Sequence, residues 1–351
     1  SSFKKAINII GENFKPDSLV LVETTVPPGT CEKVVKPILE KQLSNRGLSY
    51  NDFKLGHSYE RVMPGPNYID SIKNFYRVYS GINENSANAV EVFLKTIIST
   101  SEYPLTRLEN TNSTELAKVL ENSYRAMNIA FATEWSRFAE ESNVNLYEVV
   151  DAIRMRPTHA NLMYPGIGVG GYCLTKDPLL ASWAKQNHFG SSEPLSQSVR
   201  GVKINDKMPF YAYKFLKKYF NLKKLDNKQI TMLGVSYRSN VADTRYSPVE
   251  GLYRFCLKDG AKINLHDPYV NYWEELNIII NQDLYSVLEN EIDILIFSTS
   301  HDQYKNSNKF IEKLLDKNEM IIFDTVGILS EFEIKKLSVK HNVKVLGRGD
   351  L

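Results

Sequence analysis

The spacing of apolar positions alternates between helical and strand periods over the first 106 residues. This pattern predicts helices over 2–13, 30–45 and 84–98, and strands over 18–22, 53–58 and 77–80. Short strands that alternate with helices are typical of a parallel sheet in an α/β layer. No Gly-x-Gly-x-x-Gly run follows a first strand, so we expect the first part of this lobe to be absent from the chain.

A different pattern begins near residue 110, where Asn112 and Glu115 have the spacing of a capping box. The helix predicted to run from there to about residue 142 has apolar side chains around much of its circumference: Leu116, Val119, Leu120, Met127, Phe131, Trp135 and Phe138. Such a helix is deeply buried or forms a subunit interface. Further helices predicted over 146–155, 178–188 and 194–219 make the whole middle section helical.

Strand and helix periods alternate again after residue 228. The predicted strands cover 229–235, 262–266, 292–297, 320–323 and 343–346, and the predicted helices cover 248–259, 285–290, 308–317 and 331–341. The first of these helices has Ser247 as its cap, Pro248 in its first position, Glu250 in a capping box and Gly260 after its end. We therefore expect an α/β protein with two parallel-sheet lobes flanking a helical core, and domains over 1–107, 108–222 and 223–351.

Composition narrows the classes of function. The 351 residues include 43 basic and 41 acidic side chains, a formal net charge of +2, with no long block of like charge, so nucleic acid is not an expected partner. The three cysteines lack paired spacing, which argues against disulfides and a structural metal site and favours the cytoplasm. The apolar runs are too short to span a membrane, and we expect neither a membrane segment nor a leader. Because the chain starts at Ser1 inside an amphipathic helix, we expect residues before it.

One cysteine lies in an unusual setting. Cys173 follows the glycine-rich run 168–171 and precedes Lys176 and Asp177. Glycines allow close approach of the backbone to a ligand, a following helix N-terminus favours thiolate, and a carboxylate one turn later can position water. The alternative is a small apolar residue that packs after a bend.

Two polar residues interrupt the apolar long helix. Lys118 and Asn122 are four residues apart, so both project from one face. An ammonium and an amide placed together can stabilise a developing oxyanion. The same two residues could instead mark the wetter edge of the helix, because lysine extends readily to solvent.

Polar side chains also follow two predicted strands of the first lobe. Thr24 and Thr25 come after the 18–22 strand, and Glu60 comes after the 53–58 strand. Ligands bind at the carboxyl ends of parallel strands, where a glutamate can act as a base through water. The alternatives are an ordinary Pro-Pro-Gly strand exit and a solvated glutamate.

The second lobe has a comparable group. Tyr237, Arg238, Asp243 and Arg245 follow its first strand, and two arginines at such an edge suit phosphate. Asp267 ends the next strand, where it could bind ribose hydroxyls or form a turn. An Asp243–Arg245 pair in a solvated loop is the alternative for the first group.

Taken together and in this order, these segments resemble the UDP-glucose/GDP-mannose dehydrogenase family, whose members are nucleotide-sugar 6-dehydrogenases. The similarity covers the whole chain in six motifs: 23–30, 60–65, 115–122, 170–177, 204–209 and 233–248. The resemblance implies an N-terminal NAD-binding domain, a helical dimerisation core and a C-terminal UDP-binding domain, with two Rossmann-like lobes. The family's N-terminal glycine fingerprint is not in this chain.

The resemblance also implies a reaction, in which a sugar C6 alcohol is oxidised to a carboxylate with two NAD⁺ and no metal. Lys118 and Asn122 match the pair that stabilises charge on oxygen, and Cys173 matches the nucleophile that forms a thiohemiacetal and then a thioester. Asp177 matches the aspartate that organises water, and Glu60 matches the general base. Thr25 matches a threonine that orients water beside the cofactor.

The remaining implied contacts are with ligands. Residues expected to contact NAD are Thr24, Thr25, Lys176 and Arg245. Residues expected to contact the UDP-sugar are Glu60, Lys118, Asn122, Gly168, Gly170, Gly171, Tyr237 and Arg238. A homodimer is expected to form through the helix over 114–142.

Departures from the family pattern leave the sugar open. Arg238 stands where the family often has lysine, and Val326 stands where members often carry an arginine that reaches the sugar. The 59–65 segment is similar to that of UDP-N-acetylhexosamine dehydrogenases, whereas 173–177 is more similar to the UDP-glucose version. UDP-glucose, UDP-N-acetylglucosamine, UDP-N-acetylmannosamine and GDP-mannose all remain candidates. So does a catalytically silent nucleotide-sugar-binding module, whereas a cysteine hydrolase would need a histidine beside the thiol.

Overall fold

The computed structural model describes residues 2–49, 53–62, 65 and 67–351. The chain forms two compact units, one made of residues 1–124 and 176–199 and the other of residues 125–175 and 200–351. Each division falls within a helix, so three helices contribute residues to both units. Among the described helices, none is both long and apolar enough to cross a membrane.

The first unit contains a four-stranded sheet and the helices that cover it. Its helices are α1 (Ser2–Asn13), α2 (Lys36–Asn45), α3 (Tyr68–Lys73) and α4 (Glu84–Lys95), with a π-helical turn at Cys31–Val35 before α2. Its strands are β1 (Ser18–Val22), β2 (Phe53–Tyr59), β3 (Val78–Gly81) and β4 (Thr106–Arg107). The N-terminal half of α5 (Thr111–Glu141) belongs to the same unit.

The sheet of the first unit differs in one respect from the predicted parallel arrangement. Its order is β1-β2-β3-β4, and the β1–β2 and β3–β4 pairs are parallel. The β2–β3 pair is antiparallel, because only a short helix and a return segment separate these two strands and no full crossover is made. The prediction of an entirely parallel sheet was therefore wrong for this pair.

The other helices and strands belong mostly to the second unit. The helices are α6 (Leu146–Arg154), α7 (Tyr172–Asn187), α8 (Ser196–Asp206), α9 (Met208–Tyr219), α10 (Pro248–Lys258), α11 (Leu284–Glu289), α12 (Asn308–Leu315) and α13 (Glu331–Ser338). The strands are β5 (Gln229–Leu233), β6 (Lys262–His266), β7 (Tyr272–Trp273), β8 (Ile278–Ile279), β9 (Ile294–Phe297), β10 (Ile321–Asp324) and β11 (Asn342–Val345). Short 3₁₀ turns occur at Pro157–His159 and Asp302–Tyr304.

The main sheet of the second unit is entirely parallel, in the order β11-β10-β9-β5-β6. Its central strand β9 is buried at all four positions. Ile294 and Ile296 pack into one hydrophobic cluster, whereas Leu295 and Phe297 pack into another. Because strand side chains alternate between faces, both faces of this sheet are covered, which explains why the strand is a continuous apolar run. The predicted α/β class with parallel sheets and helical segments is confirmed.

Helix boundaries follow local capping chemistry. The Ser247 hydroxyl accepts the Val249 N–H at 3.3 Å, Pro248 occupies the first turn of α10, and Gly260 has φ +93° after its end. Glu250 does not complete the predicted capping box, because its carboxylate instead accepts the Arg254 guanidinium at 2.7 Å. The predicted helix over 194–219 is two helices, α8 and α9, and Pro209 lies in the first turn of the second.

The long helix α5 begins two residues earlier than a cap at Asn112 would place it, and it has a different cap. The Asn110 side chain accepts the Ser113 N–H at 2.9 Å, so Asn112 is not the capping residue. The predicted deep burial of this helix is also wrong within the single chain. Its large apolar residues Leu116, Leu120, Phe131, Trp135 and Phe138 are each about half exposed or more. The alternative, a subunit interface, stays a prediction.

Candidate active site

The carboxyl ends of β1 and β2 lie at one edge of the first sheet. The two strands are parallel, and Val22 at the end of β1 is opposite His57 near the end of β2. Thr24 and Thr25 follow β1, and Glu60 follows β2. Thr24 is exposed, and Thr25 and Glu60 are half-buried. The first unit therefore presents hydroxyl and carboxylate groups where ligands of parallel sheets bind.

Lys118 and Glu60, which sequence reasoning treated separately, are in contact. The Lys118 side chain is only 7% exposed, and its Nζ donates to the Glu60 carbonyl oxygen at 2.8 Å. The same Nζ lies 3.6 Å from Glu60 Oε1, and the Glu60 carboxylate also accepts the Val62 N–H at 2.6 Å. The ammonium is thus held at the strand end by two oxygens of one residue.

Asn122 lies one turn after Lys118 on α5 and makes its own pair. Its Nδ2 donates to Asp177 Oδ2 at 2.6 Å, and both side chains are buried. The other oxygen, Oδ1, has no hydrogen-bond partner among the described residues. The pKa of Asp177 is raised overall, because the effect of burial outweighs the Asn122 hydrogen bond and the charges of Lys176 and Lys118, which act in the opposite direction. This carboxylate therefore has a lone pair available for a water molecule or a proton.

Glu115 has a function in the fold that sequence reasoning missed. Its carboxylate is fully buried and accepts three backbone N–H groups, those of Gly29, Thr30 and Cys31, at 2.6, 3.2 and 2.8 Å. These groups form the turn after Thr24 and Thr25, so Glu115 ties that turn to the helix that carries Lys118. The signal that could have found it is an acidic residue in the apolar spacing of α5.

In the second unit, Cys173 belongs to the first turn of α7, since that helix begins at Tyr172 and not near residue 178 as predicted. The interpretation of Cys173 as part of a loop was therefore wrong, whereas its predicted position at a helix N-terminus is confirmed. The thiol side chain is exposed, in contrast to the buried Cys31 and Cys256. Burial raises the pKa of both buried thiols, to about 12 for Cys256, so neither forms thiolate at neutral pH.

The glycines before Cys173 are required by close packing against the Tyr237 segment. A Cβ on Gly170 would lie 2.5 Å from Tyr237 Cβ, and one on Gly171, which has φ +77°, would lie 2.8 Å from the Tyr237 ring. The Gly171 N–H also donates to the Arg245 carbonyl at 3.0 Å. Three predicted site segments of the second unit are thus in contact, those with Cys173, Tyr237 and Arg245.

The Arg245 side chain forms the ion pair with Asp243 that the sequence left open as an alternative. It pairs with Asp243 through Nε at 2.9 Å and Nη2 at 2.7 Å, and its guanidinium lies 5.9 Å from the centroid of the Tyr172 ring. The guanidinium is exposed, so the pair leaves other donors available for a ligand.

A cavity of about 300 Å³ lies in the second unit beside these segments. It is lined by residues 165–168, 236–239 and 298–300 together with Pro248 and Val326. Tyr237, Arg238 and Gly168 are therefore brought together in one cavity, and Ser298, Thr299 and Ser300 were missed because a serine-threonine run after a strand has no distinctive signal. Polar groups around a concave surface are typical of a small-molecule site.

Asp267 does not face this cavity as a ribose ligand would. It is fully buried and accepts the backbone N–H groups of Val235, Ser236, Tyr269 and Val270 at 2.8–3.1 Å. It also lies 3.1 Å from His301 Nε2. The turn alternative is therefore the correct one, because every oxygen of Asp267 already has partners.

The chain has two α/β lobes, with polar residues at the ends of parallel strands and an exposed cysteine at a helix N-terminus. Together with a match to an NAD binding domain, these features define its class as an α/β oxidoreductase that uses NAD. The comparisons with known proteins give its family. Residues 1–98 match the NAD binding domain of the UDP-glucose/GDP-mannose dehydrogenase family, residues 112–206 its central domain and residues 231–331 its UDP binding domain. This chain belongs to the UDP-glucose/GDP-mannose dehydrogenase family and is an NAD-dependent nucleotide-sugar dehydrogenase.

Similar proteins agree with this assignment. The chain is 32% identical over 357 residues to the UDP-N-acetyl-D-mannosamine dehydrogenase of Pyrococcus horikoshii, with 100% of this chain and 78% of the relative covered. A solved structure of the UDP-D-ManNAc dehydrogenase from Pyrococcus horikoshii matches with a TM-score of 0.84 and 29% identity, covering 100% of this chain and 78% of the other. The crystal structure of an NDP-N-acetyl-D-galactosaminuronic acid dehydrogenase from Methanosarcina mazei Go1 matches with a TM-score of 0.85 and 28% identity. That match covers 100% of this chain and 74% of the other. The expected absence of the first part of the NAD-binding lobe is not supported, since residues 1–98 match the NAD binding domain.

Proposed function

We propose that this protein oxidises the C6 alcohol of UDP-N-acetyl-D-mannosamine to the carboxylate in two hydride-transfer steps. The choice of sugar class is supported by the names of the similar proteins and by the 59–65 segment. The observation that carries the reaction is the pairing of Lys118 with Glu60 and of Asn122 with Asp177 on one helix face.

Lys118 and Asn122 stabilise oxygen during the first oxidation. As C6 loses hydride and its hydroxyl loses a proton, negative charge develops on the oxygen, and an ammonium with an amide N–H is suited to bind it. The Lys118 ammonium is already oriented by the Glu60 carbonyl at 2.8 Å, so little reorganisation is needed. Glu60 is half-buried and accepts the released proton.

Cys173 then acts as the nucleophile. Its thiolate adds to the aldehyde carbon to give a thiohemiacetal, which loses a second hydride and becomes a thioester. Asp177 organises the water that attacks the thioester through its oxygen Oδ1, and Glu60 is the general base that accepts the proton of that water. Hydrolysis releases the uronic acid and regenerates the thiol of Cys173.

The residues at the end of β1 fit NAD. When bound, the cofactor accepts the hydride in each of the two oxidations. Thr24 and Thr25 offer hydroxyl groups at the carboxyl end of a parallel strand, which suits the ribose and amide groups of a dinucleotide. Lys176 and Arg245 supply positive charge for its phosphates.

The cavity of the second unit suits the UDP part of the substrate. Arg238 provides charge for the diphosphate, Gly168 lines the cavity, and Gly170 and Gly171 let the Tyr237 segment pack closely beside it. The Tyr237 ring packs on the glycines and offers a face for the base. Val326 lines the same cavity where family members often carry an arginine that reaches the sugar. We therefore propose that residues other than Val326 recognise the sugar.

We propose a homodimer that forms through α5, in the cytoplasm. Phe131, Trp135 and Phe138 lie along one stretch of the helix, and each ring is about half exposed or more. A contiguous row of exposed aromatic rings is typical of a subunit interface. The domain boundaries 1–107, 108–222 and 223–351 are part of the same proposal.

The test is NADH formation with a panel of nucleotide sugars. The panel contains UDP-glucose, UDP-N-acetylglucosamine, UDP-N-acetylmannosamine, UDP-N-acetylgalactosamine and GDP-mannose, each assayed with NAD⁺. We expect two NADH for each UDP-N-acetylmannosamine consumed. One NADH per sugar would contradict the route through Cys173.

Cys173→Ala is the matched variant for this assay. We expect loss of acid formation with UDP binding retained, because the substitution removes only an exposed sulfur. No turnover of any sugar by the unmodified protein, together with saturable UDP-sugar binding, would favour a catalytically silent binding module.

A further inference from the structure

Tyr59 is a buried residue whose ring contacts two cations. It is the last residue of β2 and is 2% exposed. Lys118 Nζ lies 5.5 Å from the centroid of its ring, and the Arg61 guanidinium carbon lies 5.4 Å from it. Arg61 is fixed in turn, since Nη2 lies 3.1 Å from Glu121 and donates to the Tyr59 hydroxyl at 3.2 Å.

Two successive residues therefore contact the same ammonium. The Glu60 carbonyl accepts a hydrogen bond from Lys118 Nζ, and the preceding ring is within the range at which a cation is attracted to an aromatic face. We propose that Tyr59 is a positioning residue, whose ring keeps the Lys118 ammonium directed for binding the developing oxyanion. This inference rests on the function proposed for Lys118.

Apart from the Glu60 carbonyl, the groups that face Lys118 hold it less firmly than the ring does. Glu60 is half-buried, so its ion pair at 3.6 Å is partly screened by solvent. His57 is fully buried, and burial together with the charge of Lys118 lowers its pKa to about 4, so it is neutral at pH 7. Asp177 contributes negative charge at longer range and is engaged by Asn122. A ring that is shielded from water acts on the ammonium with little loss at high salt.

The experiment varies the electrons of the ring while the shape stays nearly constant. Tyr59→Phe is followed by phenylalanines with one, two and three ring fluorines at position 59, and kcat and KM for the UDP-sugar are measured. We expect kcat of Tyr59→Phe to stay within about 2-fold, and the trifluorinated ring to lower kcat roughly 3- to 30-fold with KM little changed. Equal kcat across the series would overturn the inference, because a ring that only fills space is not sensitive to fluorination.

A second readout does not depend on turnover. Acylation by acetic anhydride needs the amine nitrogen free to attack, so modification of Lys118, followed by mass spectrometry at fixed pH, should become faster with each fluorine as the ring holds the side chain less firmly. Tyr59→Leu should increase the rate of Lys118 acylation further. The matched control is Tyr79→Leu, which should leave this rate unchanged, because Tyr79 is a buried residue of the neighbouring strand whose hydroxyl donates to Glu91 at 2.6 Å. An inactive unmodified protein would refute the proposed function, whereas unchanged Lys118 acylation in all variants would refute the assignment of Tyr59.

Discussion

Glu115→Ala should release the turn that follows Thr24 and Thr25. The carboxylate is fully buried, and its loss leaves the N–H groups of Gly29 and Cys31 without their acceptor, whereas the Thr30 N–H keeps the Pro27 carbonyl at 3.2 Å. An unpaired buried N–H costs about 1–3 kcal/mol. Burial raises the pKa of Glu115, which shows that desolvation of the charged carboxylate offsets part of the free energy gained from its hydrogen bonds. We therefore expect a local loss of about 3 kcal/mol, in the lower half of the range for two such groups.

Native-state hydrogen exchange measures this effect where it occurs. A loss of about 3 kcal/mol should accelerate exchange of the Gly29 and Cys31 amides roughly 100-fold, while amides of the second unit keep their rates. The control Glu32→Ala removes an exposed carboxylate from the same turn and should change exchange little. Exchange within about 3-fold of the original in Glu115→Ala would refute the reasoning, since it would mean that water replaces the carboxylate without cost.

Three further outcomes are expected. Asp177→Asn keeps an acceptor for Asn122 but removes the charge, so thioester hydrolysis should slow by roughly 10²-fold or more. The acyl-enzyme should then be detected by mass spectrometry. Acid release within about 2-fold of the original rate would contradict the role of Asp177. Gly171→Ala introduces a Cβ 2.8 Å from the Tyr237 ring at φ +77° and should cost about 2–4 kcal/mol in urea unfolding, whereas Gly166→Ala, with open space at its Cβ, should cost less than about 1 kcal/mol. Burial raises the pKa of Glu140 from 4.5 to about 7, so the folded protein binds the proton of this carboxyl more tightly than the unfolded chain does. The free energy of unfolding should therefore fall by up to about 3 kcal/mol as the pH rises from the lower of these values to the higher. Glu140→Gln should flatten the dependence of the urea midpoint on pH between 5 and 8, and an unchanged slope would show that another group is responsible.

Local patterns predicted most elements because local physics decides them. The strand β9 could be recognised from four apolar residues, since a strand of a sheet covered on both faces has no polar side. The start of α10 could be recognised from Ser247 and Pro248, because a cap acts within one turn. The two-residue strands β7 and β8 could not, because such short pairs carry too little pattern.

Errors arose where a distant contact overrode a local signal. Asn112 and Glu115 have capping-box spacing, but Glu115 binds the turn at residues 29–31, more than 80 positions away. At Glu250 the competitor is local, since Arg254 is four residues away on the same helix, and spacing alone does not reveal which partner is chosen. The start of α7 was placed too late because glycines and Pro178 look like breakers, although α7 continues through Pro178, its seventh residue.

The sequence by itself determined the alternation of helices and strands, the family and the chemical types of the candidate residues, because periodicity and short motifs are properties of neighbouring positions. Tertiary structure alone decided which of these residues are partners: Lys118 with the Glu60 carbonyl, Asn122 with Asp177, and the Tyr59 ring with the Lys118 ammonium. Such contacts join residues about 55 to 60 positions apart, and their energies depend on distance and burial, which no local pattern encodes.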